Sequence, residues 1–256
     1  MNIILKLEKA EGYSKDALIQ SAHQPNFIPW IGYFAKMNQS HVFVFSDDVR
    51  FSKQQPINRA KFSGSTNQNF QWTVPVKKAS EGRIFEKLIS SEDRRIFERG
   101  LERVRNDYRG ASYYQDLCFV LEQIKELERM NNKLSEFNIE CISFIAKNFN
   151  IEFLPLLGSK LGLQRYVSNE RLIYRARTLG IPKYLCGQGA SSYQDDDFLS
   201  AQGVQVIYSN YSEINEDFGV DAKYSILHLI ALYGINRIRK HFLASAYRSN
   251  GVACYG

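Results

Sequence analysis

The chain has 256 residues, 44% hydrophobic and 23% charged, with a formal charge of +6. These proportions fit a globular protein able to bury a sizeable core, and they exclude a low-complexity or unfolded chain. No apolar run reaches the roughly 18 residues that a membrane-spanning helix needs. Met1, Ile3, Ile4 and Leu5 precede Lys6, Glu8 and Lys9, too short an apolar run for a secretory leader. No membrane insertion and a cytoplasmic location are expected.

The apolar stretch "DALIQSA" (16–22) reads as a strand that ends at His23-Gln24-Pro25-Asn26. A helix follows from about Trp30 to Ser40, and "HVFVFS" (41–46) is a β-branched and aromatic run typical of a buried strand. Strand, polar turn, helix and strand form a β-α-β unit, which implies a parallel sheet covered on both faces. "FQWTVPV" (70–76) alternates like a strand, and Pro75 marks an edge or an end.

The middle is helical, with segments near 91–106, 113–131 and 132–149. Leu117, Val120, Leu121, Ile124 and Leu127 form one apolar stripe, and Ile142, Ile145 and Phe149 form another. Strands are then expected at 151–155 ("IEFLP"), 183–186 ("KYLC") and 204–208 ("VQVIY"). A helix between the first two has Ser168 as N-cap and Gly180 as its stop. A short helix ends at Gly203, and "KYSILHLIALYGINRIRKHF" reads as one long helix. The expected fold is α/β, a Rossmann-like parallel sheet. It is read as a single domain over 1–256, with 91–149 a helical insertion or subdomain between two halves of the sheet.

Several chemistries find no support. Cys118, Cys141, Cys186 and Cys254 form no C-x-x-C pair and no Cys/His cluster of metal-ligand spacing, so reduced thiols and no metal centre are expected. There is no P-loop, no full G-x-G-x-x-G and no G-x-S-x-G elbow. Arg95, Arg99 and Arg103 fall four apart with Glu98 and Glu102 beside them. A solvated, ion-paired helix face explains them better than an anion site, because no aromatics interleave, and no nucleic-acid partner is expected. Arg175 and Arg177 read as surface charges, His228 as a core or edge histidine, and Trp30, Tyr33 and Phe34 as core.

The carboxyl edge of an open parallel sheet is where ligands bind, and three loops meet that description. The first holds His23, Gln24 and Asn26. Two donors three residues apart on a turn can address neighbouring phosphate oxygens, although His23 capping the helix or bonding a backbone carbonyl is the plain alternative. The second, "SDDVRFSKQQPINR", offers Asp47 and Asp48 as base, sugar-hydroxyl or Mg²⁺ contacts, and Lys53, Asn58 and Arg59 for anions. A polar Asx-turn loop is its alternative. The third, "CGQGASSYQDDDF", has Gly187 and Gly189 for close backbone approach, with Ser191 and Tyr193 as further contacts.

The His-x-x-Asn pair resembles the His-x-x-His/Asn signature of the nucleotidylyl-transferase and class I synthetase superfamily, with Pro25 where glycine is usual. Over a much longer stretch, "HQPNFIPWIGYFAKMNQSHVFVFSDDVRFSK", "INRAKF" and "WTVPV" resemble the WbqC-like protein family. "KYLCGQGASSYQDDDFLSAQGVQVIY" and "YSILHLIALYG" resemble its later segments, so the likeness runs from about residue 17 through nearly the whole chain. Cys186 stands where the family usually has Ser, and His228 where it usually has Asp. Members are typically encoded with O-antigen and other surface-polysaccharide genes or with specialised metabolism. The resemblance implies a small-molecule modifying role around sugar nucleotides or amino sugars. The opening unit also resembles pantothenate synthetase, which activates a carboxylate with ATP and passes it to an amine.

The expected function is therefore acyl-group transfer to an amino sugar or other amine. ATP with Mg²⁺ is the candidate cofactor and a sugar nucleotide or amino sugar the partner. His23, Asn26 and Asp48 are the catalytic candidates, with His23 and Asn26 stabilising a phosphate or oxyanion and Asp48 as base or metal ligand. A non-catalytic nucleotide-sugar-binding or scaffold protein of a polysaccharide-assembly complex is the alternative, and a homodimer is left open.

Overall fold

The computed structural model describes residues 17–64, 68–77, 82–192 and 194–249, with backbone only for 245–249. Tyr193 and Cys254 lie outside the described residues. Five strands, β1 (Ile19–His23), β2 (Val42–Phe45), β5 (Leu154–Leu157), β6 (Lys183–Cys186) and β7 (Gln205–Tyr208), form one sheet in the order β5-β2-β1-β6-β7. Every neighbouring pair is parallel. The fold is α/β with a Rossmann-like sheet. β1 is central, the chain first winds outward through β2 to β5, then crosses back to β6, so the strand order reverses between β1 and β6.

Both faces are covered, which is why β2 reads as an unbroken apolar run. Phe43 and Phe45 enter a core shared with helix α1 (Ile31–Asn38), whereas Val42 and Val44 pack with Leu163, Leu179 and Ile181 on the other face. β1 alternates in the same way. Ser21 Oγ donates to Ser40 Oγ (2.8 Å) just past α1. Gln20 Nε2 donates to the Ile181 carbonyl (2.7 Å) on the opposite side.

β3 (Arg59–Ser63) and β4 (Asn69–Thr73) form a separate antiparallel hairpin. The strand expected at 70–76 is thus not part of the main sheet, and it ends at Thr73, after which Val74 N donates to the Asn58 carbonyl (2.8 Å). β3 was not foreseen, because only Ala60 and Phe62 alternate within it.

Between β4 and β5 in sequence come α2 (Arg94–Asp107), α3 (Tyr114–Met130) and α4 (Leu134–Asn148). Leu117, Val120, Leu121 and Ile124 of α3 are fully or almost fully buried, at the spacing of one helix face. Each such side chain contributes about 1.5–3 kcal/mol of burial. They belong to the cluster that contains Phe43 and Phe45 of the sheet. β5 starts three residues later than the expected 151–155, because Asn150 takes a positive φ of 56° and Ile151 N still donates to the Ala146 carbonyl at the end of α4.

Helix α5 (Ser168–Leu179) stops at Gly180, whose φ is +67°. Ser168 is not its N-cap: its φ is +45°, and no side chain caps this helix. After β6 come α6 (Asp196–Ala201), β7 and α7 (Ser212–Phe218). The last helix, α8 (Ile226–Ser249), is not continuous as expected, because Gly234 breaks it with φ 79° and ψ 155°. A side chain there would overlap the Tyr113 ring, and Asp116 Oδ2 accepts from Ile235 N (2.8 Å) where the helix restarts. Among the described residues no helix is long and apolar enough to cross a membrane.

Candidate functional site

The ladder between β1 and β2 runs to His23–Phe45, but the ladder between β1 and β6 ends at Ser21–Leu185. Outside the opening, Ser46 N still donates to the His23 carbonyl and Ser209 N to the Cys186 carbonyl, both at 2.8 Å. The sheet therefore splays at its strand-order reversal, where open α/β sheets place their ligands. The Ala22 carbonyl, beyond the last β1–β6 pair, accepts instead from Lys36 Nζ (2.8 Å).

His23 is half-buried at this opening, with its ring 4.7 Å from Tyr33 and 5.6 Å from Trp30 between centroids. Burial, and then the Lys36 charge, pull its pKa down to about 3, against a smaller opposing effect of its bond to Gln24. Its Nδ1 lies 3.1 Å from the Gln24 carbonyl. A carbonyl only accepts, so Nδ1 carries the proton and Nε2 of the neutral ring is an acceptor. This corrects the expected donor role: a neutral ring in this tautomer cannot donate Nε2–H to an oxyanion. The Gln24 carbonyl also accepts from Tyr33 Oη (3.0 Å).

Asn26 is 1% exposed, and neither its Oδ1 nor its Nδ2 has a hydrogen-bond partner. Its loop is joined to the second one at Ile57, whose carbonyl accepts from Phe27 N (3.1 Å) and from Asn138 Nδ2 (2.7 Å). Asn138 Nδ2 also holds the Pro25 carbonyl (2.8 Å). Asn58 is buried beside it, with Nδ2 on the Val74 carbonyl (2.9 Å).

Asp47 and Asp48 do reach the carboxyl edge, at the end of β2, but both are engaged. Asp47 accepts from Ser159 N (2.9 Å) and Ser159 Oγ (2.6 Å). Burial raises its pKa, the Ser159 bonds oppose that rise, and the Asp48 charge adds to it. Asp48 is fully buried and accepts from Arg171 with both oxygens. A Cβ on Gly158 would overlap its carboxylate. Neither acid offers a free oxygen pair to Mg²⁺. Among the described residues no group of three or more His, Cys, Asp or Glu could hold a metal ion.

The remaining expected residues are scattered. Lys53 stands exposed in a turn, and Arg59 is half-buried at the start of β3 with Nε unpartnered. Gly187 lies at the splay, where an added Cβ would sit 3.6 Å from Tyr211 Oη, while Gly189 is exposed. Ser191 and Ser192 are exposed and donate to the Gln188 and Gly189 carbonyls, both at 2.9 Å.

Four residues around this part of the sheet were missed. Lys36 is 5% exposed, and burial, then the charge of Arg175, lower its pKa to about 7 against a smaller opposing effect of Cys186. Arg175 is not a surface charge: it is 2% exposed, donates through Nε to Gln20 Oε1 (2.7 Å) and stacks on Tyr184 (4.6 Å). Burial lowers its pKa as well. Arg171 lies one helical turn earlier, and Tyr211 lines the rim, near Gly32 as well as Gly187. The helix period of α5 puts Arg171, Arg175 and Leu179 on one side, a signal in the sequence that the two flanking charges obscure. Cys186 is buried, which raises its thiol to about 11, so it stays protonated.

The sequence model of the WbqC-like protein family matches residues 24–239. "Uncharacterized protein Rv1507c" of Mycobacterium tuberculosis (strain ATCC 25618 / H37Rv) is 28% identical over 77% of this chain and 82% of its own length. No solved structure matches the chain.

Proposed function

The chain belongs to the WbqC-like protein family, and from that premise we propose that it is a biosynthetic group-transfer enzyme that acylates an amino sugar or another amine. One observation carries this reading: His23 sits at the splay between β1 and β6, neutral, with Nδ1 tied to the Gln24 carbonyl and Nε2 left as acceptor. An attacking amine gathers positive charge on its N–H groups as its bond to the acyl carbon forms. An acceptor fixed at that point stabilises the developing charge and orients the lone pair. In this reading Tyr211 and Trp30 border the acceptor sugar, and Gly187 lets it approach the strand end. ATP is the activating reagent we favour, on the likeness of the opening turn to carboxylate-activating synthetases. The acid would displace pyrophosphate, and the amine would then displace AMP.

A second reading, a non-catalytic nucleotide-sugar-binding or scaffold protein, is favoured by the engagement of both Asp47 and Asp48 in bonds to Ser159 and Arg171. Incubating the protein with ATP, a panel of carboxylic acids and amino-sugar nucleotides, and following amide product by mass spectrometry, separates the two. Amide formation that is lost in His23→Ala supports the enzyme. Ligand-induced thermal stabilisation without any product, under every donor tried, supports the binder.

A further inference from the structure

Lys36 and Arg175 are both buried, and among the described residues neither makes an ion pair. They approach the same strand pair from opposite faces. Lys36 on α1 bonds Ala22 of β1, while Arg175 on α5 bridges Gln20 of β1 and the Tyr184 ring of β6, two residues that are partners in the ladder. Arg175 Nη2 is buried with no hydrogen-bond partner. Buried cations are normally matched by an anion, and the nearby one is already taken, since Asp48 gives both oxygens to Arg171.

We propose that the splay between β1 and β6 is a phosphate site, with Lys36 reaching it from the α1 face and Arg175 from the α5 face. This rests on the proposed function and names what the site holds: a phosphorylated substrate or nucleotide. The charge count chooses the ligand. Two cations match a phosphate monoester dianion, whereas a carboxylate would leave one charge uncompensated. His23, neutral and presenting an acceptor, contributes no positive charge, which leaves the task to these two residues.

The other groups facing the pair are Cys186 and Tyr184 on β6, His23 on β1, and Asp48 with Arg171. The thiol of Cys186 and the ring of His23 are uncharged at neutral pH, and Asp48 is neutralised by Arg171. Lys36, with its pKa lowered to about 7 in the empty site, is the group whose charge a dianion changes. Phosphate binding near pH 8 therefore draws a proton onto Lys36.

Calorimetric titration of the full chain with inorganic phosphate and with AMP, in two buffers of different ionisation enthalpy, tests this. The expected result at pH 8 is binding with uptake of about one proton, weakened ~10-fold or more in Arg175→Met and in Lys36→Met, with proton uptake abolished in Lys36→Met. Tighter binding of AMP than of phosphate assigns the site to a nucleotide, and equal binding assigns it to a phosphoryl group alone. If Arg175→Met does not fold, Arg175→Lys and the wild-type proton count serve instead. Equal binding to wild type and folded variants, or no binding to the wild type, overturns the proposal. Acyl transfer with unchanged KM in Arg175→Met would sink the phosphate site and leave the proposed function standing. Phosphate binding lost in both variants, without any transfer activity, would do the reverse.

Discussion

Arg171 meets Asp48 edge on, with Nη1 2.8 Å from Oδ2 and Nη2 2.6 Å from Oδ1, and Asp48 has no exposed surface. The pair ties α5 to the end of β2 across the carboxyl edge of the sheet. Removing one partner of a buried pair strands the other, at a cost of about 3–5 kcal/mol. Asp48→Met should therefore lower unfolding stability by that amount in urea titrations, and Asp48→Met/Arg171→Met should recover a large part of it. A stable Asp48→Met protein with lost turnover would return Asp48 to the role of base.

His23→Ala should lower turnover by roughly 10²-fold, the lower range for one positioned proton-accepting group, with KM changed much less. The same residue sets an acid limit. In the unfolded chain His23 takes up a proton below its ordinary value of 6.5, in the folded chain only near 3. Between these values the unfolded state holds more protons, so stability falls as pH drops through 6.5. His23→Gln should remove this contribution, about 2 kcal/mol at pH 4.5 for a half-buried ring. Urea titrations at pH 4.5 and 7.5 check it: an equal loss of stability in wild type and His23→Gln would count against the depressed pKa.

Lys36 gives the matching test on the alkaline side. Its amine ionises near 10.5 when unfolded and near 7 when folded. The unfolded state holds the extra proton between those values, so wild-type stability should rise as pH goes from about 7 towards 10. Lys36→Met should be flat over that window. It should also be more stable than wild type at pH 7 by a few kcal/mol, since each tenfold change in proton affinity is worth about 1.4 kcal/mol. Parallel pH profiles for the two proteins would show that the lysine finds compensation elsewhere.

Gly234 combines a φ of +79° with the Tyr113 ring packed where a side chain would go. Gly234→Ala should cost about 2 kcal/mol or more, from backbone strain and overpacking together. Gly189→Ala, where nothing lies within 4 Å of an added Cβ, is the control and should leave the melting temperature nearly unchanged.

Helices α2–α4 should not survive alone, since Phe97, Leu121 and Ile145 share one apolar cluster with Phe43 and Phe45 of the sheet. Limited proteolysis should release no folded 91–149 fragment. A fragment with a cooperative melting transition would make this region a domain of its own.

Periodicity carried most of the fold, because apolar spacing is a local property of the chain. β2, β6 and β7, the stripe of α3 and the stop at Gly180 could all be read in this way. β3 could not, since two alternating apolar residues gain meaning only against the partner strand β4. The break in α8 was hidden for a similar reason: a glycine within an apolar helix pattern is ambiguous until Tyr113 packs against it. At the site, sequence order placed His23, Asp48 and Gly187 on one edge of the sheet. It was silent on their chemistry, which depends on neighbours distant in the chain. Asp48 looked like a free acid until Arg171, 123 residues away, closed on it. Arg175 looked solvated until α5 turned it onto Gln20, 155 residues away, beneath the sheet. The order of residue types determined which residues gather at the carboxyl edge of the sheet. Charge state and hydrogen-bond polarity were decided by burial and long-range contacts, because electrostatic energies depend on distance and surroundings that only the tertiary structure creates.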